Sequence, residues 1–294
     1  MGASLKMLDY SVLIPEISVV IPTFNAELTL DRTLNSLFRQ LELRNVQVVV
    51  VDNKSTDGTA RLVENYAKDE PRVRLVFALE RQGISHARNI GVRNAKSDFI
   101  LICDSDDEVH SGWIDKHAKA LFGGAEVTGG GLDYVTAEGD YMFSVLGPFD
   151  SGWGPVSPGG GNCGFSKKVF EAVGGFDENM QFGGEDNDFF WKAELLGYKV
   201  EFLPEARINY FQRKSPKDVQ YQFSRFGRST MELYGKFKNQ GMKKPSFFKA
   251  LIGYSITFVR LVLSGKSTAK QQFLLRQSIG RNQGILRSYF KTRT

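Results

Sequence analysis

The strongest constraint on the fold lies in the first hundred residues, where short apolar segments alternate with segments of helical spacing. The apolar segments are Ile17–Ile21, Val46–Val51, Val73–Phe77 and Phe99–Cys103. Apolar runs without polar alternation are typical of strands that are buried on both faces of a parallel sheet. Parallel neighbours need crossover helices, so the sequence predicts an α/β fold with a Rossmann-like, mostly parallel sheet flanked by helices.

The segments between these strands have the periodicity of amphipathic helices. The first is marked by Leu30, Leu34, Leu37, Phe38 and Leu41, the second by Leu62, Val63 and Tyr66, and the third covers 84–95. Further along the chain we predict helices at 168–173 and 189–196 and a strand at 200–203. Three glycine runs obscure any period between 123 and 164, and we expect loops there, which either wrap a substrate or simply connect elements.

Charge divides the 294-residue chain into two unlike parts. Residues 1–210 hold 20 Lys and Arg against 31 Asp and Glu, whereas residues 211–294 hold 18 against two, and the net charge of +5 conceals this difference. We therefore predict a first domain at 1–215, with halves at about 16–110 and 111–215, and a basic helical extension at 216–294.

The extension contains an apolar run at 247–263 that is interrupted by Lys249 and Arg260. It is too short to span a bilayer but suits a helix in the interface of an anionic membrane, with 245–294 as its basic surroundings. The alternative is a helical cap packed on the first domain or on a second copy of the chain, as in a homo-oligomer. No recognition motif accompanies the basic residues, so we expect no nucleic acid partner.

Cysteine content and the first residues bear on the compartment. Cys103 and Cys163 are too few for a disulfide framework, and the opening MGASLKMLDY lacks the apolar core of a signal peptide. We expect a cytoplasmic protein, peripheral on the inner face of the cell membrane if the extension binds lipid.

Polar side chains follow three of the predicted strands. They are Thr23 and Asn25 after the first, Asp52 and Asn53 after the second, and Asp104, Asp106 and Asp107 after the fourth. Ligands of open α/β sheets bind beyond the carboxyl ends of the strands. Alternate carboxylates at a strand end can face one point, and Mg²⁺ and Mn²⁺ prefer oxygen ligands, often completed by phosphates. The sequence therefore predicts a divalent cation with a diphosphate at Asp104–Asp107.

Four segments occur in the order PTFNAELTLDRTLNSL, VVVVDNKSTDGT, RQGISHARNIGVRNAKSDFILICDSDD and VGGFDENMQFGGEDNDFFWKAELLGYKV. Together they resemble family 2 glycosyltransferases of the GT-A fold, and the resemblance covers roughly 16–210. The resemblance implies a catalytic GT-A domain that uses a nucleoside-diphosphate sugar as donor with Mn²⁺ or Mg²⁺. It says little about the substrate.

The resemblance also implies roles for individual residues. Phe24 is a stacking face for the nucleotide base, Asp52 matches the carboxylate that reads the base, and Arg88 matches an arginine near the nucleotide. Asp106 resembles the direct metal ligand, and Asp104 a ribose or metal contact. The implied donor-binding residues are Pro22, Thr23, Phe24, Asn25, Asp52, Arg88, Asp104 and Ser105.

The pair Glu185-Asp186 matches the catalytic-base motif of the family, and we choose Asp186 as the base. Glu185 or Asp188 could take this role instead, because sequence does not orient three carboxylates within four residues. One carboxylate that removes the proton of the acceptor hydroxyl suits single displacement with inversion. An acidic helix start that merely complements the helix dipole is the structural alternative.

This chain departs from the family at one position that concerns the metal. Many relatives carry a histidine after the strand that follows the Glu-Asp helix, but here the stretch is Ile208-Asn209-Tyr210-Phe211. A third protein ligand is therefore in doubt, and the substrate would complete the metal site. We interpret His86, His110 and His117 as surface or local hydrogen-bonding residues.

Two other classes of function compete with a transferase acting on a lipid-linked glycan or a polysaccharide. A sugar-nucleotide-forming nucleotidyltransferase would open with a glycine-rich loop after the first strand, where this chain has Pro22-Thr23-Phe24-Asn25. A non-catalytic nucleotide-sugar-binding protein would not need both acidic clusters.

Overall fold

The computed structural model describes residues 16–40, 45–150, 152–265 and 267–290. Leu41 and the first ten residues, on which two of the sequence predictions rest, lie outside these ranges, as do 291–294 of the basic extension. The strands are β1 Ile17–Thr23, β2 Val46–Asp52, β3 Val73–Phe77, β4 Phe99–Cys103, β5 Glu108–Val109, β6 Val127–Val135, β7 Tyr141–Val145, β8 Asn162–Ser166 and β9 Val200–Phe211. The helices are α1 Leu30–Phe38, α2 Thr59–Asp69, α3 Ile84–Asn94, α4 Trp113–Phe122, α5 Lys167–Val173, α6 Glu185–Leu195, α7 Pro216–Phe237, α8 Phe247–Leu263 and α9 Ala269–Ser288.

One sheet carries the strands in the order β3-β2-β1-β4-β8-β6-β9-β5, with β7 paired to β6. The strands β3, β2, β1 and β4 are parallel, as the sequence predicts, and β1 and β2 are buried along their whole length. The second half of the sheet is mixed, because β8 runs antiparallel to both β4 and β6 while β9 is parallel to β6. The predicted α/β class with flanking helices is confirmed.

The expectation of loops throughout 123–164 is wrong for Gly129–Gly131, which lie inside the buried strand β6. A Cβ on Gly130 would lie 2.0 Å from the carbonyl oxygen of Ala206 and 2.4 Å from the amide nitrogen of Asn162. Glycine serves here to bring β6 close to its neighbours rather than to form a turn. Since glycine has no side chain, it shows no hydrophobic alternation, and the sequence pattern therefore missed this strand.

The predicted strand at 200–203 is also longer than expected, because β9 continues to Phe211. Its second part pairs with both β6 and the short strand β5. The stretch Ile208–Phe211, where a histidine is absent, is therefore a sheet strand.

The extension folds into helices that pack against the first domain. Ser215 caps α7, Ser246 caps α8, and Thr268 forms a capping box with Gln271 at the start of α9. Each cap satisfies backbone N–H groups that the helix itself leaves without partners. The helical character of 216–290 agrees with the sequence prediction.

Small residues hold α7 and α9 together. A Cβ on Gly227 of α7 would lie 2.0 Å from the carbonyl oxygen of Arg281, and one on Gly284 of α9 would lie 2.0 Å from that of Ser224. Phe223 of α7 meets Phe273 of α9 with ring centroids 5.8 Å apart, and Phe273 lies 5.6 Å from Tyr134 of the first domain. The extension is thereby fixed beside β6 and β7.

Helix α8 lies against α9 with most of its surface uncovered. Within α8, Ala250 is the buried residue, whereas Phe248 is 73% exposed and Leu263 77% exposed. Among the helices of the described ranges, none combines the length and the apolarity that are needed to cross a membrane.

Candidate active site

A cavity of about 1360 Å³ opens beyond the carboxyl ends of β1 and β4. Its walls include the Pro22–Asn25 segment after β1, the Asp104–Asp107 segment after β4, and the start of α6. Helices α7 and α9 close the far side. The cavity therefore unites the polar strand ends that the sequence predicted to converge, with the exception of Asp52, and it also includes residues of the extension.

The segment after β1 forms one rim of the cavity. The hydroxyl of Thr23 donates to the carbonyl of Val51 at 2.9 Å, which ties the end of β1 to β2. Phe24 is 48% exposed at the rim. Asn25 has a left-handed φ of 49° and accepts a hydrogen bond from the amide of Thr56 at 2.8 Å. The ring of Phe24 is thus presented by a braced turn and is free to stack on a ligand.

Asp52 and Asn53 follow β2 in different environments. Asp52 is buried outside the cavity lining, where its Oδ1 accepts the amide of Ser55 at 3.1 Å and its Oδ2 has no hydrogen-bond partner in the described structure. Asn53 lines the cavity and accepts the amide of Gly83 at 2.6 Å. Asn53, one of the polar residues predicted to converge at the strand ends, therefore shapes the loop at the start of α3.

Arg88 joins the two acidic segments of the site. Its guanidinium is buried and lies 3.0 Å from a carboxylate oxygen of Asp104 and 2.7 Å from one of Glu185. Burial alone would lower the pKa of Arg88, but the carboxylates of Asp104 and Glu185 raise it above its ordinary value. Arg88 is therefore a buried counter-ion that links the end of β4 to the start of α6.

The carboxylates after β4 differ in their partners. Asp104, Ser105, Asp106 and Asp107 all line the cavity. Asp106 forms an ion pair with Arg213 at 3.0 Å, whereas Asp107 is fully buried and accepts a hydrogen bond from the backbone amide of Phe211 at 3.4 Å. Burial and the neighbouring Asp104 raise the pKa of Asp106, and Arg213 opposes that rise. Arg213 was missed by the sequence analysis, because 107 residues separate it from Asp106.

At the start of α6, one carboxylate faces the open cavity. Asp186 lines the cavity and accepts the amide of Gly160 at 3.1 Å. Glu185 also reaches the lining but is buried and paired with Arg88, and burial raises its pKa. Asp188 is 0% exposed and lies outside the lining, paired with Lys192 at 2.7 Å and with Lys236. Of the three candidate bases, Asp186 has the open position.

The histidines hydrogen-bond locally, as expected, but the surface alternative is wrong for His86 and His117, which are buried. His86 lies 3.0 Å from carboxylate oxygens of both Glu80 and Glu178. His117 contacts the hydroxyl of Thr128 at 2.8 Å, and burial lowers its pKa to about 4. Throughout the described ranges, no group of three or more His, Cys, Asp or Glu side chains is placed to hold a metal ion.

Comparison with known proteins locates this arrangement among glycosyltransferases. The family model described as glycosyl transferase family 2 matches residues 18–174, more than half of the chain, and a second, described as the N-terminal domain of galactosyltransferase, matches 157–214. Glycosyltransferase AglE of Haloferax volcanii is 25% identical over 231 residues, which are 75% of each chain. A Campylobacter jejuni enzyme named GalNAc(5)-diNAcBac-PP-undecaprenol beta-1,3-glucosyltransferase is 32% identical over 117 residues, 39% of this chain and 38% of that protein.

Among solved structures, the mannosyltransferase PcManGT of Pyrobaculum calidifontis, in complex with GDP-Man and Mn²⁺, has the same fold. It is 21% identical with a TM-score of 0.63, and the alignment covers 96% of this chain and 88% of that one. The matched regions of three curated relatives span 42%, 75% and 31% of those proteins.

Proposed function

The chain belongs to glycosyl transferase family 2, and we propose that it transfers a sugar from a nucleoside-diphosphate sugar to an acceptor hydroxyl. The observation that carries the proposal is that Asp104, Asp106 and the open carboxylate of Asp186 line the same cavity. The mannosyltransferase of the same fold is complexed with GDP-Man and Mn²⁺, which supports a donor of this class.

The residues after β4 fit a hard divalent cation. Asp104 and Asp106 present carboxylates that are partly open to the cavity, with side-chain exposures of 24% and 31%. These two would hold Mn²⁺ or Mg²⁺, and the diphosphate and water would supply the other oxygens. Such a cation would stabilise the charge that gathers on the departing diphosphate.

The protein groups account for the remaining requirements of the reaction. Phe24 offers a stacking face for the base, and the amide of Gly160 holds Asp186 toward the cavity. The acceptor oxygen bonds to the anomeric carbon as the bond from that carbon to the diphosphate oxygen breaks. Asp186 takes the acceptor proton, and since this single displacement attacks from the side opposite the leaving group, the anomeric configuration inverts.

A donor screen tests this proposal directly. Nucleoside-diphosphate sugars are added one at a time with Mn²⁺, and the melting temperature is compared with that of samples containing a chelator. A ligand that binds the native state raises the melting temperature by mass action. We expect stabilisation by one donor that requires metal, followed by transfer or slow hydrolysis of that donor. Stabilisation without sugar release would favour a non-catalytic binding protein. Release of pyrophosphate from a nucleoside triphosphate would favour a nucleotidyltransferase.

We further propose that the acceptor is a lipid-linked glycan or a polysaccharide, reached while the extension rests on the inner face of an anionic membrane. Helix α8 exposes one apolar face that contains Phe248, Ile252, Ile256, Val259 and Leu263. Basic residues surround it in a segment with 18 Lys and Arg against two acids. An apolar helix face with basic surroundings is typical of helices that lie in the interface of anionic lipid.

Vesicle flotation measures this association. We expect the protein to bind vesicles that contain phosphatidylglycerol, and the double variant I252E/V259E to remain in solution. The control L274E places one glutamate on an exposed leucine of α9 outside this face and should bind like the native chain. If the native chain shows no vesicle binding and sediments as a dimer through α8, the apolar face is a protein interface instead.

A further inference from the structure

One side of the cavity is a lobe walled by aromatic rings. We call it the aromatic lobe, and its rings are Tyr134, Phe143, Tyr210 and Phe223. Tyr134 stacks on Phe143 with ring centroids 4.6 Å apart and meets Tyr210 edge-on at 5.2 Å. Helix α9 completes the lobe with Gln277 and Arg281, which are one turn apart and therefore share a helix face.

Arg281 differs from the other arginines of this cavity. Arg88 and Arg213 are each paired with carboxylates, and Arg225 donates to the carbonyl of Gln181 at 3.3 Å. Within the described ranges, the side chain of Arg281 makes no ion pair or hydrogen bond, and its guanidinium carbon lies 5.9 Å from the centroid of the Phe223 ring. It is a cation that the protein itself leaves uncompensated.

Neighbouring polar groups are also free to bind a ligand. The side chain of Gln277 and the hydroxyl of Tyr134 have no hydrogen-bond partner in the part of the chain that the structure describes. Gln222, across the lobe on α7, donates to the hydroxyl of Tyr210 at 3.2 Å. Apolar walls with a few placed donors are the usual construction of a small-molecule site.

The position of Arg281 is built into the packing of the extension. Its carbonyl lies against Gly227, where any Cβ would come within 2.0 Å, so the backbone of α9 at this residue is held against α7. Partial removal from water lowers the pKa of Arg281, and the nearby Tyr134 opposes that effect. Arg281 is exposed at the cavity wall, so an anion can reach its guanidinium, and charge-assisted hydrogen bonds are about twice as strong as neutral ones.

We propose that Arg281, together with Gln277 and Tyr134, binds an anionic group of the acceptor, a phosphate or a carboxylate, while the aromatic lobe receives the adjoining part of the molecule. This inference rests on the proposed transferase function and specifies its acceptor as an anionic molecule. The anion can come from a lipid-linked diphosphate or from an acidic sugar, and both present the same chemistry to Arg281.

Calorimetric titration with two matched pairs of probes separates these sources. Geranyl diphosphate is compared with geraniol, and cellobiouronic acid with cellobiose, each in the presence of Mn²⁺ and the nucleoside diphosphate of the stabilising donor. We expect one anionic probe to bind at least about tenfold more tightly than its neutral counterpart, and R281Q to lose about 10- to 100-fold of that affinity. The pair that shows the difference identifies the source of the anion.

The control is R287Q, which removes the same charge from an exposed position of α9 outside the cavity and should leave probe binding unchanged. Metal-dependent stabilisation by the donor should be equal in the native chain, R281Q and R287Q. Equal binding of anionic and neutral probes, or unaltered binding in R281Q, overturns the inference while leaving the transferase function intact. Loss of all donor stabilisation in the native chain would instead overturn the function.

Discussion

Two acidic segments of the same length, Asp104–Asp107 and Glu185–Asp188, meet in one cavity and yet present their carboxylates differently. After β4 the chain forms a turn, in which the amide of Asp107 donates to the carbonyl of Asp104 at 3.4 Å, and all four residues of the first segment reach the cavity. The second segment is the first turn of α6, so successive side chains point in directions about 100° apart. Asp186 faces the cavity, whereas Asp188 is buried against two lysines.

The comparison shows that two segments with similar numbers of acidic residues can place their carboxylates in different environments, because the backbone conformation sets the direction of each side chain. The first segment gathers carboxylates at one place, where the proposed divalent cation would offset their repulsion. The second disperses them, with one toward the cavity, one toward Arg88 and one toward Lys236. Arg88 contacts both segments and so couples the proposed metal ligands to the helix that carries the proposed base.

The largest effect should come from Asp106→Ala in the first segment. The variant removes a carboxylate from the proposed cation site, so transfer and metal-dependent donor stabilisation should both fall to background. The melting temperature with donor and Mn²⁺ measures the metal-dependent stabilisation, and product formation measures the transfer. Asp140→Ala, an exposed acid in the turn between β6 and β7, is the control and should behave like the native chain. If the native chain kept its full turnover after all divalent metal was chelated, the proposed role of the cation would be wrong.

Asp186→Asn should affect turnover alone. The amide keeps the shape of the side chain but does not accept the acceptor proton, so turnover should fall by about 10²- to 10⁴-fold. Donor affinity, followed by thermal stabilisation, should stay near native. Full activity of this variant would contradict the choice of Asp186 and would assign the base to Glu185 instead.

Asp188→Asn should lower stability rather than catalysis. It leaves Lys192 and Lys236 without their buried partner, and because both lysines are partly exposed we expect a loss of about 2 kcal/mol in the free energy of unfolding, below that of fully buried pairs. Urea unfolding gives this value, and Asp69→Asn at an exposed site of α2 is the control. A turnover loss equal to that of Asp186→Asn, with native stability, would contradict the assignment.

The smallest effect should be a pH dependence of the stability contributed by the ion pair between Asp177 and Lys236 of α7. Burial would raise the pKa of Asp177, but hydrogen bonds from Lys236, at 2.6 Å, and from the amide of Asn179 hold it below its ordinary value. A lowered carboxylate pKa contributes stability above the unfolded-state pKa and loses it as the pH falls through the folded-state pKa.

Lys236→Met should therefore cost about 0.5–1 kcal/mol at pH 7, and the difference from the native chain should shrink on acidification below about pH 4. Urea unfolding at pH 7 and pH 3 measures both values. The pKa of Lys236 is raised by Asp177 and Asp188 against the effect of burial, so the contribution should also fade above about pH 10.5. A constant difference across pH 3–7 would show that Lys236 acts through packing rather than through charge.

The sequence anticipated the donor half of the molecule well. The boundaries predicted for β3 and β4 agree with the structure, and the predicted convergence of Thr23, Asn25 and Asp106 at strand ends is observed in the cavity. Strand periodicity and the position of polar residues after strands are local signals, so they can be read from a single chain. The segment 127–135 gave no such signal, because three glycines in β6 carry no side chains to alternate.

Local sequence thus determined the α/β class, the acidic segments and the basic extension with its apolar helix. Only the tertiary structure decided which carboxylate of Glu185–Asp188 is open, that Arg213 meets Asp106, and that Arg281 stands unpaired beside Tyr134. Those relations join residues more than a hundred positions apart or depend on helix orientation. They arise from packing between distant segments, which leaves no periodic trace in the sequence of either one.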